Sequence, residues 1–195
     1  RHEMLPGVRA VRVRPEAPRN RATAPMALAL RTPTTGTTVA FASTATLRPE
    51  GSARSVQEHP GDDGRLIQRI PVMNKQGNAF LTGQEIKTRT FHYFTKGIKR
   101  LVIELELECC TIFLVHLSLK FRHRQNQLGD LYKLIKEVKK PVIVAGDFNA
   151  VWGEQELRLF RAATGLEDAN RDGLPSYPAL APRHQLDVIL HSPEI

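Results

Sequence analysis

Residues 141–150 read Pro-Val-Ile-Val-Ala-Gly-Asp-Phe-Asn-Ala (PVIVAGDFNA), and the fold turns on this stretch. Pro141–Ala145 is a short, unbroken apolar run rich in β-branched residues, the mark of a strand buried on both faces. Gly146, which lacks a Cβ, permits a sharp exit from that strand. Asp147 and Asn149 then stand two positions apart at its tip. A carboxylate and an amide are hard oxygen donors that suit Mg²⁺ or Mn²⁺, and the amide N–H can meet a phosphoryl oxygen. By itself Gly-Asp-x-Asn is also a common turn, and both readings stay open at this level.

Strand and helix patterns surround this stretch. Gly77–Thr82 (GNAFLT) reads as a short strand. Lys99–Glu108 alternates apolar and charged residues like a half-buried strand, and Thr111–Leu117 (TIFLVHL) is continuously apolar like a central one. Cys109–Cys110 between them leaves room for a hairpin. Read as strand residues, the two cysteines point to opposite faces and suit neither a mutual disulfide nor one metal. Arg122–Lys139 has helical spacing, with Leu128, Leu131, Ile135 and Val138 on one face and the Arg, Lys and Gln residues expected on the solvated one. Glu154–Ala163 is a second helix, with acids in its first turn and Gly165 as its C-terminal cap. Leu186–Leu190 is a final strand. Strands mixed with helices make the fold class α/β.

Two polar residues interrupt apolar strands. His116 (Val115-His116-Leu117) is either a satisfied core histidine or a donor to a phosphate oxygen. Asp187 opens the last strand among Leu186, Val188 and Ile189, either as an edge acid paired with Arg183 or as part of a site.

Residues 1–70 are different in kind. They hold 11 Arg, no Lys, 6 acids and one aromatic, Phe41, while Arg, Ala, Thr and Pro fill 36 positions. The seven prolines break helical periods, and alternation appears only around Val39–Ala45. Such a segment has little apolar surface to offset its ordering entropy, so a disordered basic tail is expected. Out-of-frame translation of a GC-rich gene accounts for the same bias, and a transit peptide fits less well because the prolines spoil amphipathicity. The chain opens with Arg1 rather than Met, as a processed or partial product would. Of the net charge of +8, +5 belongs to residues 1–70, so the basic pI is weak support for nucleic-acid binding. The chain has just two cysteines and lacks an apolar run of the ~20 residues a spanning helix needs. A soluble cytoplasmic protein without a disulfide framework is expected.

From about Met73 to Ile195 the chain resembles the endonuclease/exonuclease/phosphatase superfamily, the fold of pancreatic deoxyribonuclease. The matching text is QGNAFLT (76–82), VHLSLKFRHRQNQL (115–128), PVIVAGDFNA (141–150), ATGL (163–166), PSYPA (175–179) and QLDVIL (185–190). The resemblance implies a two-layer β-sandwich flanked by helices, here incomplete at both ends, with residues 71–195 as the partial domain. It implies metal-dependent phosphoester hydrolysis, nuclease-like, with Mg²⁺ or Mn²⁺ as cofactor and a phosphoester substrate, nucleic acid among the candidates. It casts Asp147 and Asn149 as the central pair near metal and phosphate, His116 as the phosphate-contacting histidine, and Asp187 as the acid that orients a base. It casts Asn78, Ser176 and Tyr177 as lining the substrate cleft. The family's metal-binding Gln-Glu is not recognised in residues 1–72, where Gln57-Glu58 has no evident strand before it, and its closing Ser-Asp-His falls beyond Ile195. Low activity of the 195-residue chain is therefore expected, with a monomeric state. The alternative is a catalytically dead fragment or a basic nucleic-acid-binding module.

Overall fold

The computed structural model describes residues 85–97, 101–150, 154–178 and 181–195, together with strands at 9–12, 27–31, 38–43, 54–57 and 78–82. Five strands form the first sheet: β1 (Arg9–Arg12), β2 (Ala27–Arg31), β3 (Thr38–Ser43), β4 (Arg54–Gln57) and β5 (Asn78–Thr82), in the order β1-β2-β3-β5-β4, antiparallel throughout. Four of them lie within residues 1–70, where only Val39–Ala45 has a strand pattern, and β3 coincides with it. The disorder expected of residues 1–70 otherwise falls on residues outside the described ones.

The second sheet has six strands: β6 (Thr88–Tyr93), β7 (Leu101–Glu106), β8 (Thr111–His116), β9 (Val142–Asp147), β10 (Glu167–Asp168) and β11 (Asp187–His191). Their order is β10-β11-β9-β8-β7-β6. All neighbours are antiparallel except β8 and β9, which run parallel. A parallel pair needs a crossover, and α1 (Phe121–Glu137) supplies it. The second helix, α2 (Glu154–Thr164), follows β9 and ends where Gly165, at φ +77°, donates its N–H to the Arg161 carbonyl.

The central strands read as apolar runs because both of their faces are covered. On one face Val102, Phe113, Val115, Val144, Val188 and Leu190 pack with Leu131 and Ile135 of α1 and Phe160 of α2. On the other, Ile103, Leu105, Ile112, Leu114, Ile143, Ala145 and Ile189 form a second core. The first sheet approaches the second through β3 and β5, beside β9 and β8. The architecture is the two-layer sandwich with flanking helices that the sequence leads one to expect. Among the described residues no helix is long and apolar enough to cross a membrane.

Two sequence expectations are corrected. Arg124 and Gln127 are not on the solvated face of α1: both are buried. Arg124 makes a two-pronged ion pair with Glu156 of α2, Nε to Oε2 at 2.7 Å and Nη2 to Oε1 at 2.9 Å. Its Nη1 also donates to the carbonyls of Ser118 and Leu119. Gln127 accepts the Ser118 N–H at 2.8 Å and donates to the Lys96 carbonyl at 3.1 Å. Arg124 is thus spent inside the fold and is not free for a polyanion. Cys109 and Cys110 lie in the hairpin turn rather than in a strand, and their sulfurs are neighbours, not on opposite faces. The sequence reading also missed β6, although TRTFHY is rich in β-branched and aromatic residues.

At Gly146 the two strands of the parallel pair leave no room for a side chain. The φ is +143°, and a Cβ there would lie 1.9 Å from the Val115 carbonyl oxygen. Gly146→Ala should therefore destabilise the protein by ~3 kcal/mol or more, read as the shift of the urea unfolding curve. Arg124→Ala strands Glu156, whose side chain is only 10% exposed, and should cost about 3–5 kcal/mol in the same measurement. Arg124→Met with Glu156→Leu should recover most of that loss, because no charge is left buried.

Candidate active site

β8 ends at His116, β9 ends at Asp147 and β11 begins at Asp187. The register places His116 opposite Asp147 across the parallel pair, and Asp187 opposite Asp147 across the antiparallel one. Directly paired residues point to the same side of a sheet, so the three side chains form a row across adjacent strands. Alternation from Leu114, Ala145 and Ile189 puts this row on the face turned toward the first sheet, at the polar edge of the second core.

His116 Nε2 lies 3.3 Å from Asp147 Oδ2, with side chains 15% and 19% exposed. The other carboxylate oxygen of Asp147, Oδ1, accepts the Asn149 N–H at 2.9 Å. That contact is an Asx turn, and it fits the φ of +50° at Asn149, a conformation Asn tolerates better than most residues. The Asn149 Nδ2 donates to the Leu117 carbonyl at 2.8 Å. Asn149 is buried, and tying its amide nitrogen to a carbonyl leaves Oδ1 as the acceptor end. Phe148 points the other way and packs edge-on against Phe160 of α2, at 6.3 Å between ring centres. The Asp-Phe-Asn order therefore alternates site, core and site.

The supports of this turn come from α1. Leu117 donates its N–H to the Asp147 carbonyl at 2.8 Å, so the β8 backbone stays paired one residue past His116. Arg124 and Gln127 then hold the backbone at Ser118 and Leu119. These two residues were not singled out from the sequence as site supports. Their spacing carried the signal: positions 124, 127, 131 and 135 recur at helical intervals on the buried face of α1.

Ser176 Oγ accepts the N–H groups of Leu186 and Asp187, at 3.0 and 3.1 Å. The hydroxyl thus fixes the backbone from which Asp187 projects. Tyr177 bridges to His184, precedes a cis peptide to Pro178, and is 51% exposed. Asn78 opens β5, the first-sheet strand that comes near β8. The structure therefore gathers His116, Asp147, Asn149 and Asp187, attaches Ser176 to Asp187, and leaves Tyr177 on the surface. One further correction concerns Gln57-Glu58. A strand does precede it: β4 ends at Gln57, opposite Ala79 and so beside Asn78. Glu58 itself is outside the described residues.

A Mg²⁺ or Mn²⁺ ion would find hard oxygen donors in Asp147 and Asn149, which fit such an ion in kind. Among the described residues no group of three or more His, Cys, Asp or Glu could hold a metal.

The model of the Endonuclease/Exonuclease/phosphatase family matches residues 81–195. A search of curated proteins finds no match. Among solved structures, a functionally unknown conserved protein from Enterococcus faecalis V583 is similar in fold, with a TM-score of 0.53 at 15% identity, covering 72% of this chain and 65% of that one. Sphingomyelinase C from Streptomyces griseocarneus aligns with a TM-score of 0.47 at 17% identity over 60% of this chain, which spans 53% of that structure. The Haemophilus ducreyi cytolethal distending toxin aligns with a TM-score of 0.48 at 12% identity, over 95% of this chain and 66% of its own. The match to the family model covers more than half of the residues, in the part that contains the row, and the chain belongs to the endonuclease/exonuclease/phosphatase family.

Proposed function

We infer that this chain is a divalent-metal-dependent phosphoester hydrolase, and that His116, Asp147, Asn149 and Asp187 are its phosphate-side residues. The observation that carries the reading is the in-register row of His116, Asp147 and Asp187 on three adjacent strands, with His116 Nε2 3.3 Å from Asp147 Oδ2. Family membership supports the reaction class.

Each group has a task its surroundings suit. His116 donates a ring N–H to a non-bridging phosphoryl oxygen, with the Asp147 carboxylate 3.3 Å from its Nε2. Asn149, fixed by Leu117 on one side and Asp147 on the other, is pre-organised against the phosphate and loses little entropy on binding it. Asp187 accepts a proton-bearing partner that activates water, and Ser176 keeps its backbone in place. Asp147 and Asn149 would hold the metal, which would offset charge developing on the phosphoryl oxygens. Tyr177 is exposed and suits the wall of a substrate cleft.

Metal binding is measured together with rate. Mn²⁺ should broaden the NMR signals of the His116 ring and the Asn149 amide, and Asp147→Ala should abolish the broadening. Hydrolysis of a generic phosphodiester and of plasmid DNA should be stopped by EDTA and fall by at least ~10²-fold in Asp147→Ala. Turnover that persists in EDTA, or Mn²⁺ effects unchanged in Asp147→Ala, would overturn the assignment. In Ser176→Ala the amides of Leu186 and Asp187 lose their acceptor, and their hydrogen exchange should accelerate by roughly 5–100-fold, the equivalent of ~1–3 kcal/mol.

A further inference from the structure

Between β7 and β8 the chain reverses over 107–110, closed by the Leu107 N–H donating to the Cys110 carbonyl at 2.9 Å. Lys140 Nζ, paired with Glu106 at 2.7 Å, also donates to the Leu107 carbonyl at 3.0 Å. This turn contains both cysteines of the chain, Cys109 exposed and Cys110 buried. Their Sγ atoms are 3.6 Å apart. Burial, then the neighbouring Cys109, pushes the Cys110 thiol up to about 12, so it stays neutral at physiological pH. The pair sits at the start of β8, at the opposite end of that strand from His116, and the proposed hydrolysis does not use it.

Three chemistries take two thiols, and the geometry separates them. A structural metal such as Zn²⁺ needs thiolates and about four ligands. Cys110 resists ionisation, and among the described residues no third ligand converges. A direct disulfide between neighbours is strained, because adjacent Cα atoms stand ~3.8 Å apart and ordinary disulfides need at least ~4.4 Å. A single bridging atom avoids both difficulties. It needs the two sulfurs side by side near van der Waals contact, and here they stand 3.6 Å apart.

We propose that Cys109 and Cys110 form a two-thiol site for trivalent arsenic, presented as an organoarsenic oxide. Exposed Cys109 takes the arsenic first and buried Cys110 closes the ring. Two S–As bonds form, the As=O double bond breaks, and the two thiol protons leave with the oxygen as one water. Arsenic stays trivalent, so no oxidant or reductant takes part.

The test uses the full reduced chain and phenylarsine oxide. Intact mass should show one reagent per chain less one water, with both thiols lost to a thiol-titrating reagent. Excess monothiol should leave the adduct in place and a small dithiol should strip it. Cys109→Ser and Cys110→Ala should each weaken binding by roughly 10²-fold or more, because the second attachment is lost. Cys109 is exposed, so its variant decides the matter if Cys110→Ala fails to fold. The dithiol concentration for half-stripping should fall by about tenfold in urea, where the turn no longer holds the sulfurs together. An adduct removed by monothiol, one that blocks a single thiol, or equal retention in urea would overturn the proposal.

Discussion

One backbone contact governs the polar edge of the second sheet: the approach of Gly146 to the Val115 carbonyl, where there is no room for a Cβ. A side chain at that position would push β9 away from β8, and the parallel register would fail one residue before it pairs His116 with Asp147. Because β11 pairs with β9 through the same two residues, Val188 with Gly146 and Asp187 with Asp147, the displacement would reach the third member of the row as well. The glycine does more than release the chain from a strand. It sets how closely three polar side chains can be gathered.

The second support is the buried charge network of α1. An Arg–Glu pair this enclosed contributes little net stability over an apolar replacement, since desolvation offsets most of the attraction. What it supplies is placement. The guanidinium has more donors than Glu156 can use, and the surplus N–H reaches the carbonyls of Ser118 and Leu119, just past the end of β8. The loop that accepts the Asn149 amide at Leu117 is thereby tied to both helices.

Much of this was legible from residue patterns. Continuous apolar runs at TIFLV and PVIVA identify strands covered on both faces, and Gly-Asp-Phe-Asn places polar groups at a strand tip. The polar members of α1 were misread because periodicity records which positions share a face, not what that face meets. Arg124 and Gln127 occupy stripe positions, but their residue types suggest water until Glu156 and the Ser118 backbone are brought against them. The cysteine turn was misread for a related reason: a strand reading alternates side chains, whereas a reversal turns neighbouring side chains together. Ser176 was read as facing a ligand, and its hydroxyl oxygen instead accepts two backbone N–H groups, partners that become visible only when β11 folds back beside it.

The order of strands in the second sheet also has a consequence for how the molecule assembles. The β7–β8 hairpin closes a loop of a few residues, whereas Asp147 must wait for Asp187, forty positions later, before β11 can pair with β9. Closing the longer loop costs more chain entropy and is returned only when non-local pairing begins. The row is thus completed late, by the strand that enters from farthest along the chain. Until β11 pairs, the Val, Ile and Ala of β9 would lie beside unpaired backbone groups on that side. Such an edge can recruit a strand from another chain, so the step that finishes the polar row is also the one at which folding competes with aggregation.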